Sequence, residues 1–351
     1  MTGTSMDGLD ISVVELEGYG LDLKVKDSRN QSFPLGKLSE KLRAISLGKS
    51  FTIKDLVEIN HHFSHLHLDA LKEMHAENAH LIAIHGQTLY HKPPLSLQML
   101  NPNLIAHNLK VPVVYDLRAA DLSMGGEGAP MTPLSDAILF RSPAQTRGIV
   151  NLGGFCNITK IAAMDQVDRN EISAKDLCAC NHILDSLARE MWGFEYDHDG
   201  QKALEGKVNP EIFEQVFTIL SEQNQTTRSL GSGDELYSSI RGLTPKIASQ
   251  DLARSIIAAM ALLISESLKE CAELILAGGG AHNQALVAEI KHFFAGKVYL
   301  SDDFNIPIQY RESISMAILG ALCEDRIPIT LAQVTHCHGE APVAGVWVQP
   351  K

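Results

Sequence analysis

No stretch of this 351-residue sequence is apolar for long enough to cross a membrane. The longest run, residues 256–264, is about half of the ~20 residues a spanning helix needs, and Arg254 and Glu266 flank it, so it reads as a buried helix. No basic segment followed by an apolar run opens the chain, so no secretory signal is read. Cysteines are few and scattered, at 156, 178, 180, 271, 323 and 337, in a chain too long to be a small disulfide scaffold; reduced thiols in the cytoplasm are expected. Basic residues are outnumbered, 30 Lys and Arg against 42 Asp and Glu, for a formal charge of -12. With no basic stripe, a nucleic-acid partner is excluded. A small anion would have to be held locally, by backbone N–H groups and a few placed cations.

What is there is an ordinary globular composition, 45% hydrophobic and 21% charged, with length for two packed domains. Strands are expected over residues 9–15 and 21–25, and helices over 37–47 and 52–76. The apolar run at 81–84 ends in His-Gly-Gln-Thr, and that at 111–115 ends in Asp-Leu-Arg. Twice, then, a buried strand delivers polar residues at its C-terminal end, where open α/β sheets place their ligands. A Gly- and Pro-rich stretch at 124–133 marks the expected domain boundary. The second half restarts with a strand at 148–152, a glycine turn and a partner strand at 156–162. Helices follow at 181–192, 210–222 and 249–271, then a strand at 274–277, three glycines and a helix at 282–294. The repeated plan predicts two related α/β lobes around a cleft.

Glycine permits the positive φ angles that aim successive N–H groups at one point. The loop of Gly3, Thr4, Ser5, Met6, Asp7 and Gly8 adds two hydroxyls and a carboxylate, which suits phosphate, with Asp7 or Asp10 near a metal ion. Alone it is as well read as a hairpin. The same holds for the segment from Asn151 through Gly153 and Gly154 to Asn157. Three adjacent glycines, Gly278, Gly279 and Gly280, cost backbone entropy that a loop without a close-approaching ligand rarely needs to bear. The three turns, all at strand ends, are more specific as a set than any member.

Phosphoryl transfer needs positioning, charge neutralisation and a group to take a proton from the nucleophile. Asp116, Arg118, Asp121, Asp176, Asp185, Asp197 and Glu312 are candidates by place in the pattern. His61 and His65 lie four apart on one predicted helix, as metal-binding pairs do, but an amphipathic, partly exposed helix face is the preferred reading. The run His336-Cys337-His338 is read as a loop.

Several segments together resemble one family, the anhydro-N-acetylmuramic acid kinases, members of the actin-like sugar kinases. They are GTSMDGLD at 3–10, HGQT at 85–88, DLRAADLSMGGEGAP at 116–130, NLGGFCNIT at 151–159, GSGDELY at 231–237 and GGGAHN at 278–283. They keep the family's order across nearly the whole chain. The resemblance implies a two-lobed α/β actin-like (ribonuclease H-like) fold with a central cleft, with lobes over 1–128 and 129–351 and the last residues returning to the first lobe. It implies cleavage of the 1,6-anhydro ring and phosphorylation of O6, using ATP, Mg²⁺ and one water, in cell-wall recycling. Asp176 would be the general base. Gln87, Thr88, Arg118, Asn181 and Glu312 would bind the sugar. Gly3, Thr4, Ser5, Met6, Asp7, Gly8, Leu9, Asp10, Asn151, Gly153, Gly154, Asn157, Gly278, Gly279, Gly280 and Asn283 would bind the nucleotide, with Asp7 near Mg²⁺. The partners implied are ATP, an amino sugar and a second copy in a homodimer, with no nucleic acid or membrane.

Three departures stand out. Leu177-Cys178-Ala179-Cys180 replaces the family's Thr-Gly-Pro-Gly after the base. Asp234 takes the place of an Arg, removing a cation and adding an anion. The loop begins at residue 3, where the family carries a preceding strand; a missing central strand would leave ladder groups unpaired at roughly 1–3 kcal/mol each, and predicts lower stability. The alternative these departures raise is a protein of the same fold that binds sugar or nucleotide without turnover, or one that phosphorylates a related sugar.

Overall fold

The computed structural model describes residues 1–3, 6, 8–46, 48–226, 228–231, 233–243 and 247–350. In chain order the first elements are β1 (Gly8–Glu17), β2 (Lys24–Pro34), α1 (Lys37–Ser46), α2 (Ile53–Glu73), β3 (Ile82–Ile84), β4 (Gln87–Lys92), β5 (Leu95–Met99), α3 (Pro102–Leu109), β6 (Val113–Tyr115), α4 (Ala119–Ser123) and α5 (Pro133–Phe140). There follow β7 (Arg147–Leu152), β8 (Phe155–Ile161), β9 (Ile172–Ala179), α6 (Asn181–Trp192), α7 (Gln201–Glu205), α8 (Pro210–Asn224), α9 (Tyr237–Arg241), α10 (Ser249–Ser267), β10 (Glu273–Ala277), α11 (Gln284–Phe293) and β11 (Lys297–Leu300). The chain ends with α12 (Arg311–Glu324), α13 (Ala332–Thr335) and β12 (Val346–Val348). It forms two units, Met1–Leu139 with Glu312–Lys351, and Phe140–Arg311. Among the described residues no helix is long and apolar enough to cross a membrane.

The second unit is built on a five-stranded sheet in the order β9-β8-β7-β10-β11. β7, β8 and β9 form an antiparallel meander, and β10 and β11 run parallel to β7. Three antiparallel strands followed by two parallel ones, in the order 3-2-1-4-5, is the ribonuclease H-like arrangement expected of an actin-like lobe. Its core joins the buried residues of β7 and β10 to the inner faces of α6, α8, α10 and α11. Residues 256–264 are the buried stretch of α10, as their apolar run predicts. Helix starts follow local chemistry: Asn209 accepts from Ile212 N–H ahead of Pro210 in α8, and Asn283 accepts from Leu286 N–H in α11.

In the first unit β1 and β2 form an antiparallel hairpin, while β12-β6-β3 make a mixed three-stranded sheet. α12 crosses β3 so closely that a methyl on Gly320 would stand 2.5 Å from Ala83 Cβ. α2 opens with a capping box between Thr52 and Asp55. His61 and His62 are exposed on this helix, and the loop reading of residues 336–338 holds. The second strand, expected around 21–25, begins only at Lys24, after a short 3₁₀ turn at Gly20–Asp22, and runs on to Pro34. Lys24–Pro34 shows no fully buried residue, so an apolar alternation never marks it.

His67 of α2 is buried, its Nδ1–H donating to the Phe63 carbonyl at 2.9 Å and its Nε2 without a partner among the described residues. Burial pushes this imidazole down to about 3. An unfolded histidine titrates near 6.5, so as pH falls below about 6.5 the unfolded chain takes up a proton that the folded one refuses. Stability is therefore complete above pH 6.5 and lost progressively as pH falls toward 3, by about 1.4 kcal/mol per pH unit for this one group. Urea unfolding at pH 7 and pH 5 should differ by about 2 kcal/mol from His67, and His67→Gln should flatten the difference; an unchanged slope in the variant would refute the assignment.

Candidate active-site residues

In the second unit two glycine turns lie side by side because β7 and β10 are parallel neighbours, with Ala277 opposite Asn151. Gly278 has φ +81°, and a Cβ there would come within 2.8 Å of Asn151 Oδ1 and 2.9 Å of the Leu152 carbonyl oxygen. A Cβ on Gly280 would stand 2.8 Å from Leu152 Cβ and 2.9 Å from Asn181 Oδ1. Both are glycine because the turns are pressed together. Gly279 differs: the nearest atom to its missing Cβ is Asn181 Nδ2, at 3.9 Å. Its backbone can be approached closely, as a phosphate requires and a side chain would prevent.

Asn181 knits the turns, its Nδ2 donating to the Leu152 carbonyl at 3.1 Å and its backbone N–H to Gly153 at 3.1 Å. Cys180 N–H donates to Gly154 at 2.9 Å, and the His182 ring fills the space that a side chain on Gly154 would need. Asn283 caps α11. The observed contacts of Asn181 and Asn283 thus hold a turn and a helix.

Asp176 lies on β9 opposite Asn157 of β8, next to a bulge between Cys156 and Asn157. Its Oδ2 accepts from Leu230 N–H at 2.7 Å, which fixes one carboxylate oxygen. The replaced turn does not unravel the strand: β9 runs on through Ala179, and Cys180 alone links it to α6. Leu177, Cys178, Ala179 and Cys180 are all fully buried and form part of the core of the second unit. Nor is the added anion left bare. Asp234 accepts from both Nη atoms of Arg228, at 2.8 and 2.7 Å, and from Gly231 N–H at 2.8 Å.

In the first unit, Thr4, Ser5 and Asp7 lie outside the described residues. Met6 N–H donates to the Gly3 carbonyl at 3.2 Å, and Met6 itself has φ 53°. Gly8, Leu9 and Asp10 open β1. Leu9 is fully buried in the core, so it offers a ligand only its backbone. Asp10 exchanges two backbone hydrogen bonds with Met1, at 2.7 and 2.8 Å, and its carboxylate accepts from Ser32 Oγ. Thr2 Oγ1 donates to the Gly86 carbonyl at 3.3 Å, which ties Thr2 to the His-Gly-Gln-Thr segment. Glu312, in the first turn of α12, and Asp10 both act electrostatically on the buried amino group of Met1.

The His-Gly-Gln-Thr segment leads into the β4–β5 hairpin, which pattern reading does not anticipate. Gln87 is fully buried, and its Oε1 has no partner among the described residues. Thr88 Oγ1 donates to Gln98 Oε1 at 2.7 Å. Arg118 Nη1 donates to the Gly128 carbonyl at 2.8 Å, and Gly128 N–H in turn donates to the buried carboxylate of Asp121 at 2.6 Å. Thr335 Oγ1 donates to the other Asp121 oxygen at 2.7 Å. Of the four groups that support Arg118 and Thr88, namely His85, Gln98, Asp121 and Gly128, only Asp121 stands among the sequence candidates. His85 was visible in its motif.

The family model described as anhydro-N-acetylmuramic acid kinase matches residues 1–348. A relative from Bacillus cereus (strain AH187) named "Anhydro-N-acetylmuramic acid kinase" is 30% identical, over 95% of this chain and 94% of its own. One of the same name from Synechococcus sp. (strain WH7803) is 30% identical, over 100% of this chain and 98% of its own. Among solved structures, the "Activator of the 2-Hydroxyisocaproyl-CoA Dehydratase from Clostridium difficile with bound ADPNP" aligns with TM-score 0.41 and 11% identity, over 89% of this chain and 94% of the other. That likeness is too slight to argue from; strand order carries the fold.

Proposed function

The chain belongs to the anhydro-N-acetylmuramic acid kinase family, and from that premise we propose that it opens the 1,6-anhydro ring of anhydro-N-acetylmuramic acid with one water and phosphorylates the freed O6 from ATP. The observation that carries this reading is the family match over residues 1–348. Asp176 takes a proton from the water as its oxygen bonds to C1. The C1–O6 bond breaks, O6 takes the γ-phosphoryl group, and ADP leaves. The products are N-acetylmuramic acid 6-phosphate and ADP, and we assign the reaction to the cytoplasm and to cell-wall recycling.

The nucleotide phosphates are assigned to the opening turn, to Asn151 through Asn157 and to Gly278, Gly279 and Gly280, a reading supported by the open backbone at Gly279. Gln87, Thr88, Arg118 and Glu312 are assigned to the sugar. Asn181, which also holds the turns, is assigned to the sugar with them. Magnesium, when bound with ATP, neutralises phosphate charge. Asp7 is assigned as its protein carboxylate, with Asp10 as the other candidate.

The purified chain given ATP, Mg²⁺ and the anhydro sugar in ¹⁸O-water should release ADP and sugar 6-phosphate in equal amounts, with the label on C1. ADP without sugar phosphate, or label on phosphate, would overturn the proposal. Sedimentation of the same preparation tests for the homodimer.

A further inference from the structure

We infer that His85, through its Nε2, positions the guanidinium of Arg118 and so sets affinity for the sugar. The inference rests on the assignment of Arg118 to sugar binding. His85 is 2% exposed, at the end of β3. Its Nε2 lies 3.5 Å from Arg118 Nη2 and 3.3 Å from Thr88 Oγ1.

A guanidinium only donates, so the nitrogen facing it presents a lone pair, and the ring proton sits on Nδ1. Burial, with the charge of Arg118 next, holds this imidazole well below the ordinary histidine range. The neutral form is therefore the one present at working pH. With Gly128 accepting from Nη1 and His85 facing Nη2, the guanidinium is gripped at both ends of its fork.

Nδ1 tells what the residue is for. It is buried, and it has no hydrogen-bond partner among the described residues. A buried N–H left unpaired is a cost to stability. A side chain kept for folding alone would be better replaced by an apolar ring of similar size. Stability and substrate affinity therefore pull in opposite directions at this position, and one substitution separates them.

His85→Phe should leave the melting temperature unchanged or raised, increase KM for the anhydro sugar about 10-fold or more, and leave KM for ATP unchanged. His85→Gln places a carboxamide near the Nε2 position, where its oxygen can accept from Arg118, and should recover most of that loss. Arg118→Met should raise sugar KM at least as much, and the double variant should be no worse than Arg118→Met alone, since one positions the other. If Arg118→Met leaves sugar KM unchanged, the assignment of Arg118 fails. If Arg118→Met raises it and a stably folded His85→Phe does not, the inference about His85 fails alone. A His85→Phe variant that loses stability and affinity together, with no recovery in His85→Gln, would show a structural role and overturn the inference as well.

Discussion

Asp176→Asn should lower turnover by about 10²- to 10⁴-fold, the span that a positioned general base contributes, with sugar binding and melting temperature retained. The hydrogen bond from Leu230 survives the substitution. Asp176 is held by Leu230 N–H donating to Oδ2, and an asparagine carbonyl oxygen accepts that bond as a carboxylate does. The strand beneath it is anchored by pairing from Phe155 opposite Ala179 to Ile161 opposite Ile172, none of which involves the carboxylate. What the amide cannot do is take a proton from water. Single-turnover rates and calorimetric sugar affinity measured on the same preparation check this. A variant retaining a tenth of wild-type turnover would remove Asp176 from the role of base.

Two neighbouring glycines should respond in opposite ways. Gly280→Ala forces a methyl to within 2.8 Å of Leu152 Cβ, 2.9 Å of Asn181 Oδ1 and 3.0 Å of the Leu152 carbonyl oxygen. The backbone of Leu152 lies in the sheet and cannot give easily, so the second unit should lose about 1–3 kcal/mol, as overpacked sites do. Gly279→Ala meets only Asn181 Nδ2, at 3.9 Å, and its folding should be unaffected. Its methyl would stand where a phosphate approaches, and KM for ATP should rise about 10-fold or more while KM for the sugar does not move. Thermal unfolding and the two KM values, measured on both variants, separate the cases. Equal behaviour of the two would mean that the turn packs against protein on all sides and cradles nothing.

The parts of this architecture that a reader of the sequence can see are those with a strong local signature. β7 and β10 are apolar runs followed by glycine, β1 is announced by the glycine loop before it, and the turns after β7 and β10 lie together because the strands are parallel neighbours. β2 escapes because its residues are polar and none is fully buried. The β4–β5 hairpin escapes because Pro93-Pro94 interrupts it and because a bulge between Thr88 and Tyr90 breaks the alternation of its first strand. The roles given to Asp176, Arg118 and Glu312 come from family resemblance, since an isolated carboxylate or guanidinium carries no pattern of its own. The groups that hold them were hidden for a further reason. Leu230 reaches Asp176 across 54 residues through a backbone N–H, and Arg228 neutralises Asp234 through a loop, contacts that no spacing rule encodes. His85 was in plain view, but only the fold puts it against an arginine 33 residues away.

The cysteines that replaced a glycine-proline turn belong to a wider circumstance. All six in the chain are free and buried, Cys156, Cys178, Cys180 and Cys271 in one unit and Cys323 and Cys337 in the other, and burial pushes the thiols of Cys180 and Cys323 up to about 12. Cys156, Cys178 and Cys180 in one unit and Cys323 in the other, each at 2% exposure or less, are shut away from an alkylating reagent in the folded protein. Each of these sulfurs becomes a reporter that speaks only when its own unit opens, and which of the four carries the added mass names the unit that opened.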